Sequence, residues 1–112
     1  MRKLALIPAV LLLFPACGID AENFADSMAR AYCSKQRECF RASFEDSYND
    51  LGDCTEDVND SYQSVQDGFQ DILNCELNED AAAEYRSDML GTECGEFNDS
   101  FWLAADDAIW DC

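Results

Sequence analysis

The sequence predicts an all-α protein, a disulfide-stapled bundle of about four short helices that follows an N-terminal signal peptide. Apolar residues recur every three or four positions in four separate segments, which is the spacing of one helix face. The alternation of apolar and polar residues that marks a strand is missing. Six cysteines are spread through the segments that follow the N-terminal apolar run. A chain of 112 residues has room for one small domain.

The first residues have the pattern of a secretory signal peptide. Arg2 and Lys3 precede an apolar run over residues 4–14, and Cys17 follows shortly after it. The run is shorter than the about 20 apolar residues that a membrane span needs. It therefore predicts a signal peptide over residues 1–16. We expect residues 17–22 to form a lipidated tether and residues 23–112 to form the helical domain.

The end of the apolar run resembles the lipobox of bacterial lipoproteins. In that motif a small residue precedes a cysteine that is lipidated on its sulfur, as Ala16 and Cys17 would be here, although Phe14 and Pro15 depart from its preferences. The resemblance implies lipidation of Cys17. It also implies the outer membrane, because the second residue of the mature chain would be Gly18 and not Asp. Ordinary cleavage after Gly18 is the alternative and would give a soluble secreted or periplasmic protein.

Without Cys17 the chain keeps an even number of cysteines, which predicts three disulfides in an oxidising compartment. These cysteines are Cys33, Cys39, Cys54, Cys75, Cys94 and Cys112. No two of them have C-x2-C spacing, and the chain has no histidine, so we expect neither a zinc site nor a redox site.

An antiparallel hairpin of the first two predicted helices narrows the disulfide pairing. Cys39 and Cys54 would lie near its turn, so we expect these two to bond. Cys33 would then pair with Cys94 or Cys112, since Cys75 would be too far along the other helix. Cys75 would take the cysteine that remains.

Two helices are expected in the first half of the domain. The first runs from after Asp20 to about Phe40, and the second covers residues 54–73 with Asp53 as its N-cap. The expected inner face of the first helix consists of Phe24, Met28, Tyr32, Cys33 and Cys39. The expected inner face of the second consists of Cys54, Val58, Tyr62, Val65, Phe69, Ile72 and Cys75.

Two shorter helices are expected in the second half. One covers residues 79–90, with Asn78 as its cap and Gly91 as its stop, and its inner residues are Ala82, Tyr85 and Met89. The other covers residues 99–111, and its expected inner face consists of Phe101, Ala104, Ala105, Ala108, Ile109 and Cys112. Aromatic residues near the end, such as Phe97 and Trp110, are expected in the core rather than around a ligand.

The composition excludes several functional classes. The chain has 24 acidic and 7 basic side chains, a net charge of −17, which repels nucleic acid and anionic lipid. Without the signal peptide, 5 basic side chains remain against 24 acidic ones, a net charge of −19. The absence of histidine removes the most common general base and metal ligand. With so many acids any carboxylate pair is expected by chance, so we predict no catalytic residue, metal site, cofactor or enzyme activity.

The whole pattern resembles small, acidic, cysteine-rich helical lipoproteins of certain Gram-negative soil bacteria. Their first helix carries a motif like Ala31-Tyr32-Cys33 followed by Glu38-Cys39. The resemblance implies an envelope location and a helical fold but no chemistry. We therefore expect a non-enzymatic envelope lipoprotein, held to a membrane by its lipid, that acts as a structural module or binds a protein partner. The alternative is a helical carrier of a small apolar ligand, which an apolar cavity of about 300 Å³ or more would indicate.

Overall fold

The computed structural model describes residues 18–97 and 109–112, and this part of the chain is a disulfide-stapled helical bundle. The predicted all-α, disulfide-stapled fold is therefore confirmed, and the predicted signal peptide over residues 1–16 lies outside the described residues. The four helices are α1 (Phe24–Cys39), α2 (Arg41–Ser47), α3 (Leu51–Asp67) and α4 (Glu79–Gly91). A π-helical turn, Gly68–Ile72, extends α3, and a 3-10 turn, Cys94–Glu96, follows α4. Two short strands, β1 (Glu76–Leu77) and β2 (Trp110–Asp111), pair antiparallel.

Helices α1 and α3 form an antiparallel pair at the centre of the bundle. Cys33 bonds to Cys54 towards one end of the pair. Beyond the other end, the Gln66 side chain donates a hydrogen bond to the Ala21 carbonyl, with N···O 2.7 Å. The Tyr62 ring meets the Phe24 ring edge to face between these two points. The C-terminal end of α3 therefore lies beside the N-terminal end of α1.

Among the described residues, the predicted inner faces match buried or half-buried positions except at Ile72 and at Cys112, which is exposed. Val58 and Tyr62 are buried, and Val65 and Phe69 are half-buried against the core. Ile72 is 80% exposed, so the prediction that it faces inward is wrong. The cause is the π-helical turn, in which the Leu73 amide bonds to the Gly68 carbonyl five residues back. One extra residue in the turn rotates later positions away from the face that an α-helical period predicts.

Of the two predicted N-caps, Asn78 is confirmed and Asp53 is wrong. Asn78 caps α4 as expected, because its side-chain oxygen accepts a hydrogen bond from the Ala81 amide at 3.0 Å. Helix α3 begins three residues earlier than predicted, at Leu51. Its cap is Asp50, whose carboxylate accepts a bond from the Asp53 amide at 2.8 Å. Asp53 lies inside the first turn, where its negative charge suits the helix dipole.

The last predicted helix lies mostly outside the described residues. The structure describes its end, where Trp110–Asp111 is extended and pairs with Glu76–Leu77, so a helix reaching residue 111 is a wrong prediction. The Asn78 amide also donates to the Ile109 carbonyl at 2.8 Å, and these bonds replace the helical ones. Helix α2 was not predicted because Phe44 is its one buried residue and gives no periodic pattern.

The folded domain begins earlier than the predicted boundary at residue 23. Ile19 is 2% exposed and belongs to the core. The Asp20 carboxylate accepts hydrogen bonds from the Glu22 and Asn23 amides, and the Asn23 side chain accepts one from the Asp20 amide. Most of the segment that was expected to be tether is therefore a turn of the domain. Within residues 18–97 and 109–112, no helix is long and apolar enough to cross a bilayer.

Candidate functional site

Three disulfides connect the six cysteines of the domain: Cys33–Cys54, Cys39–Cys94 and Cys75–Cys112. The predicted Cys39–Cys54 bond is wrong, and so is the expectation that Cys33 bonds to Cys94 or Cys112. The pairing of Cys75 with Cys112 is one of the two that the sequence left open.

The error has a geometric cause. The prediction assumed a tight turn between two long helices, but α2 lies in that connection. The first turn of α3 therefore meets α1 at Cys33, six residues before the end of α1, which is about 9 Å along the helix. Cys39 extends past this contact and reaches Cys94, just after α4. Cys17, the predicted lipidation site, lies outside the described residues.

The tether end, formed by the turn over residues 18–23 and the start of α1, packs on a row of aromatic rings. Phe24 packs against Trp110 with ring centroids 5.3 Å apart. Trp110 in turn stacks on Phe69 at 5.2 Å, with the ring planes 10° apart. Among the described residues, the buried Trp110 indole nitrogen has no hydrogen-bond partner. This row joins the start of α1 to the π-helical turn at the end of α3.

An apolar surface lies on the far side of that row. We define the end patch as Val65, Phe69, Ile72 and Leu73, which line an open groove of about 370 Å³. Ile72 is 80% and Leu73 58% exposed, and with the half-buried Val65 and Phe69 they form one contiguous apolar surface rather than scattered single residues. Asn74 follows with φ 59°, a left-handed conformation that asparagine tolerates. That residue turns the chain back towards β1 and leaves Ile72 and Leu73 projecting outward.

Sequence reasoning missed the end patch, although a signal was present. Ile72 and Leu73 are adjacent, and two adjacent residues of a helix cannot both lie at the centre of one narrow face. The glycine at position 68 and the asparagine at position 74 also bracket the segment with residues that favour departures from an α-helix.

An acidic groove of about 610 Å³ lies between α2 and α3, open to solvent and distinct from the end patch. Its carboxylates are Asp53, Glu56, Asp57 and Asp60. The Tyr48 hydroxyl donates a hydrogen bond to Asp57 with O···O 2.6 Å, and this bond, together with burial, raises the pKa of Tyr48 from 10.0 to about 12. Among the described residues, no group of three or more side chains is arranged to hold a metal ion. The groove concentrates negative charge and contains a phenol that stays protonated.

Few positive charges lie near the tether end, where Arg30 reaches Asp26 in the first turn of α1. The basic residues after the predicted signal peptide are Arg30, Lys35, Arg37, Arg41 and Arg86. Arg30 pairs with Asp26 at 2.7 Å and Arg41 with Glu45 at 3.4 Å, both on the exposed surface of one helix each. Such exposed pairs contribute little to stability. The described residues 18–29 and 60–80, which contain the tether end and the end patch, include no Lys or Arg.

Comparison with protein-family models, with curated proteins and with solved structures finds no match for this chain. The description of the chain therefore rests on its own structure, which is a small, helical, cysteine-rich domain with three disulfides.

Proposed function

We propose that this chain is a lipid-anchored, non-enzymatic protein of the bacterial envelope that acts through its surface as a structural or protein-interaction module. The observation that carries the proposal is the cysteine inventory. Six of the seven cysteines have partners within the domain. Cys17 is the seventh, and it stands directly after an apolar run where a lipobox would place it. Three internal disulfides also favour an oxidising compartment.

The burial of Ile19 supports cleavage before Cys17 over cleavage after Gly18. Cleavage after Gly18 would make Ile19 the first residue and would place a charged ammonium group on a residue whose side chain is packed in the core. Moving an unpaired charge out of water is costly. Cleavage before Cys17 leaves the new terminus two residues away from this buried position.

The surface supports an interaction role over a carrier role. The apolar groove at the end patch, of about 370 Å³, is open at the surface rather than enclosed by the helices. The centre of the bundle is filled by large side chains, among them Phe24, Met28, Tyr62 and Met89. A carrier would hold its ligand where these side chains meet.

Intact mass spectrometry of the purified exported protein tests the proposal. We expect the mass of residues 17–112 plus that of a diacylglyceryl group on the Cys17 sulfur. The mass should also be lower by six hydrogens, because the three disulfides replace six thiols. The matched control is Cys17→Ser, which should lose the lipid mass and leave the membrane fraction. An unmodified chain that begins at Ile19 would refute the lipid anchor.

A further inference from the structure

We propose that the end patch docks on the zwitterionic phospholipid surface to which Cys17 is anchored. The inference rests on the proposed function, because it needs the lipid at Cys17. Docking of the end patch adds a second, non-covalent contact with the membrane and so fixes the orientation of the domain.

The end patch lies at the same end of the domain as the point where the tether enters it. Gln66 is bonded to Ala21 across the α1–α3 pair, and α3 runs antiparallel to α1, so the residues that continue this helix after Gln66, up to Ile72, lie beyond the start of α1. Ile72 is six residues further on, or about 9 Å at the rise of a helix. The π-helical turn therefore projects from the end of the domain at which the chain enters from Cys17.

The tether is too short to hold the domain away from the bilayer. Ile19 is packed in the core, and Cys17 is two residues before it. Two extended residues span at most about 7 Å. A lipid on Cys17 must therefore bring the tether end of the domain to the level of the headgroups, and the end patch with it.

The end patch is suited to this surface because its apolar side chains stand on a rigid base. Phe69 stacks on Trp110, and Trp110 packs on Phe24 at the start of α1. Ile72 and Leu73 project beyond this base into solvent. Interfacial segments bury such side chains about 5–10 Å into the boundary between headgroups and acyl chains.

The acidic residues around the end patch favour a zwitterionic over an anionic lipid surface. Asp20, Asp67 and Asp71 flank the patch and the tether turn, and no Lys or Arg lies in residues 18–29 or 60–80. An anionic membrane surface would repel these carboxylates. A zwitterionic surface, such as phosphatidylcholine or phosphatidylethanolamine, would not.

Quenching of an introduced tryptophan by brominated lipid tests the docking, and the quenching of the wild-type protein is subtracted because Trp102 and Trp110 also fluoresce. The mature protein, shown by mass to be lipidated, is reconstituted in phosphatidylcholine vesicles that carry bromine in the upper acyl chain. Leu73→Trp places the probe in the end patch. Leu90→Trp is the matched control, because Leu90 is 41% exposed on α4 near Cys94, at the opposite end of the domain. Both sites are on the surface, and far-UV circular dichroism checks that both variants keep their helices.

We expect quenching of the probe at position 73 to exceed that at position 90 about twofold, and to fall when anionic lipid is added. Equal quenching at the two positions, in protein that does carry lipid on Cys17, overturns the docking and leaves the proposed function standing. A probe at position 73 that is shielded from bromolipid and from soluble acrylamide alike also overturns it, because a second copy or another partner then covers the patch. Absence of lipid on Cys17 overturns both proposals.

Discussion

Replacing Cys39 and Cys94 together with alanine removes the disulfide that closes the longest loop, with a sequence separation of 55 residues. In the chain-entropy account, a loop of this length restricts the unfolded chain by about 4 kcal/mol. Cys94 is exposed and Cys39 half-buried, so the variant loses little packing in the folded state. We expect the free energy of unfolding to fall by about 4 kcal/mol, chiefly because the unfolded chain gains freedom. That loss is a large part of the about 5–15 kcal/mol that stabilises an ordinary domain.

Equilibrium unfolding in urea, followed by circular dichroism, measures this loss. The slope of unfolding free energy against urea should rise as well, because an unfolded chain without the cross-link exposes more surface. Leu90→Ser controls for substitutions at the same end of the domain and should change stability by no more than about 0.5 kcal/mol. A loss below about 1 kcal/mol with an unchanged slope would refute loop closure as the source of stability.

The buried disulfide gives a useful contrast. Cys33 and Cys54 close a loop of only 21 residues, for which the same account gives about 3 kcal/mol. Both residues are fully buried, so their replacement by alanine also leaves a cavity. We expect this variant to lose as much stability as the Cys39 and Cys94 variant although its loop is less than half as long, with a smaller change in the urea slope.

Three further predictions concern single residues. Asn78→Ala should lower the unfolding free energy by about 1 kcal/mol through loss of the α4 cap, while Asn78→Asp keeps it, as urea midpoints will report. Asn74→Ala should destabilise the protein by about 1 kcal/mol because φ 59° suits few side chains, whereas Asn74→Gly should not. For Tyr48, a folded-state pKa raised from 10.0 to about 12 means that its contribution to stability is complete below pH 10 and is lost as the pH rises through 12. Phenolate absorbance should show that Asp57→Asn lowers this pKa and that Asp60→Asn does so much less; equal shifts would contradict the role of the Tyr48–Asp57 bond.

The parts of the fold that were predictable from sequence depend on local periodicity and local capping. The faces that contain Phe24, Met28 and Tyr62 were identified because helix geometry alone brings residues three and four apart together. The Asn78 cap was identified because its bond to the Ala81 amide spans three residues. Fold class follows from these local signals, since four amphipathic segments, three of them with cysteines on their inner faces, have few ways to pack.

The parts that were missed depend on distant contacts. The strand at Trp110 exists because β1, more than thirty residues earlier, offers it backbone partners. The disulfide pairing depends on α2, a helix with Phe44 as its one buried residue, which shifts the contact between α1 and α3. The end patch depends on one extra residue in a turn at Gly68. None of these effects has a periodic signature in the sequence.

The order of the three disulfides along the chain also determines what a single proteolytic cut does to the protein. The loop from Cys33 to Cys54 overlaps the loop from Cys39 to Cys94, and that loop in turn overlaps the one from Cys75 to Cys112. Every peptide bond from Cys33 to Cys112 is thus enclosed by at least one cystine. A single cut anywhere in this region nicks the backbone without releasing a fragment, so the domain would stay in one covalent piece.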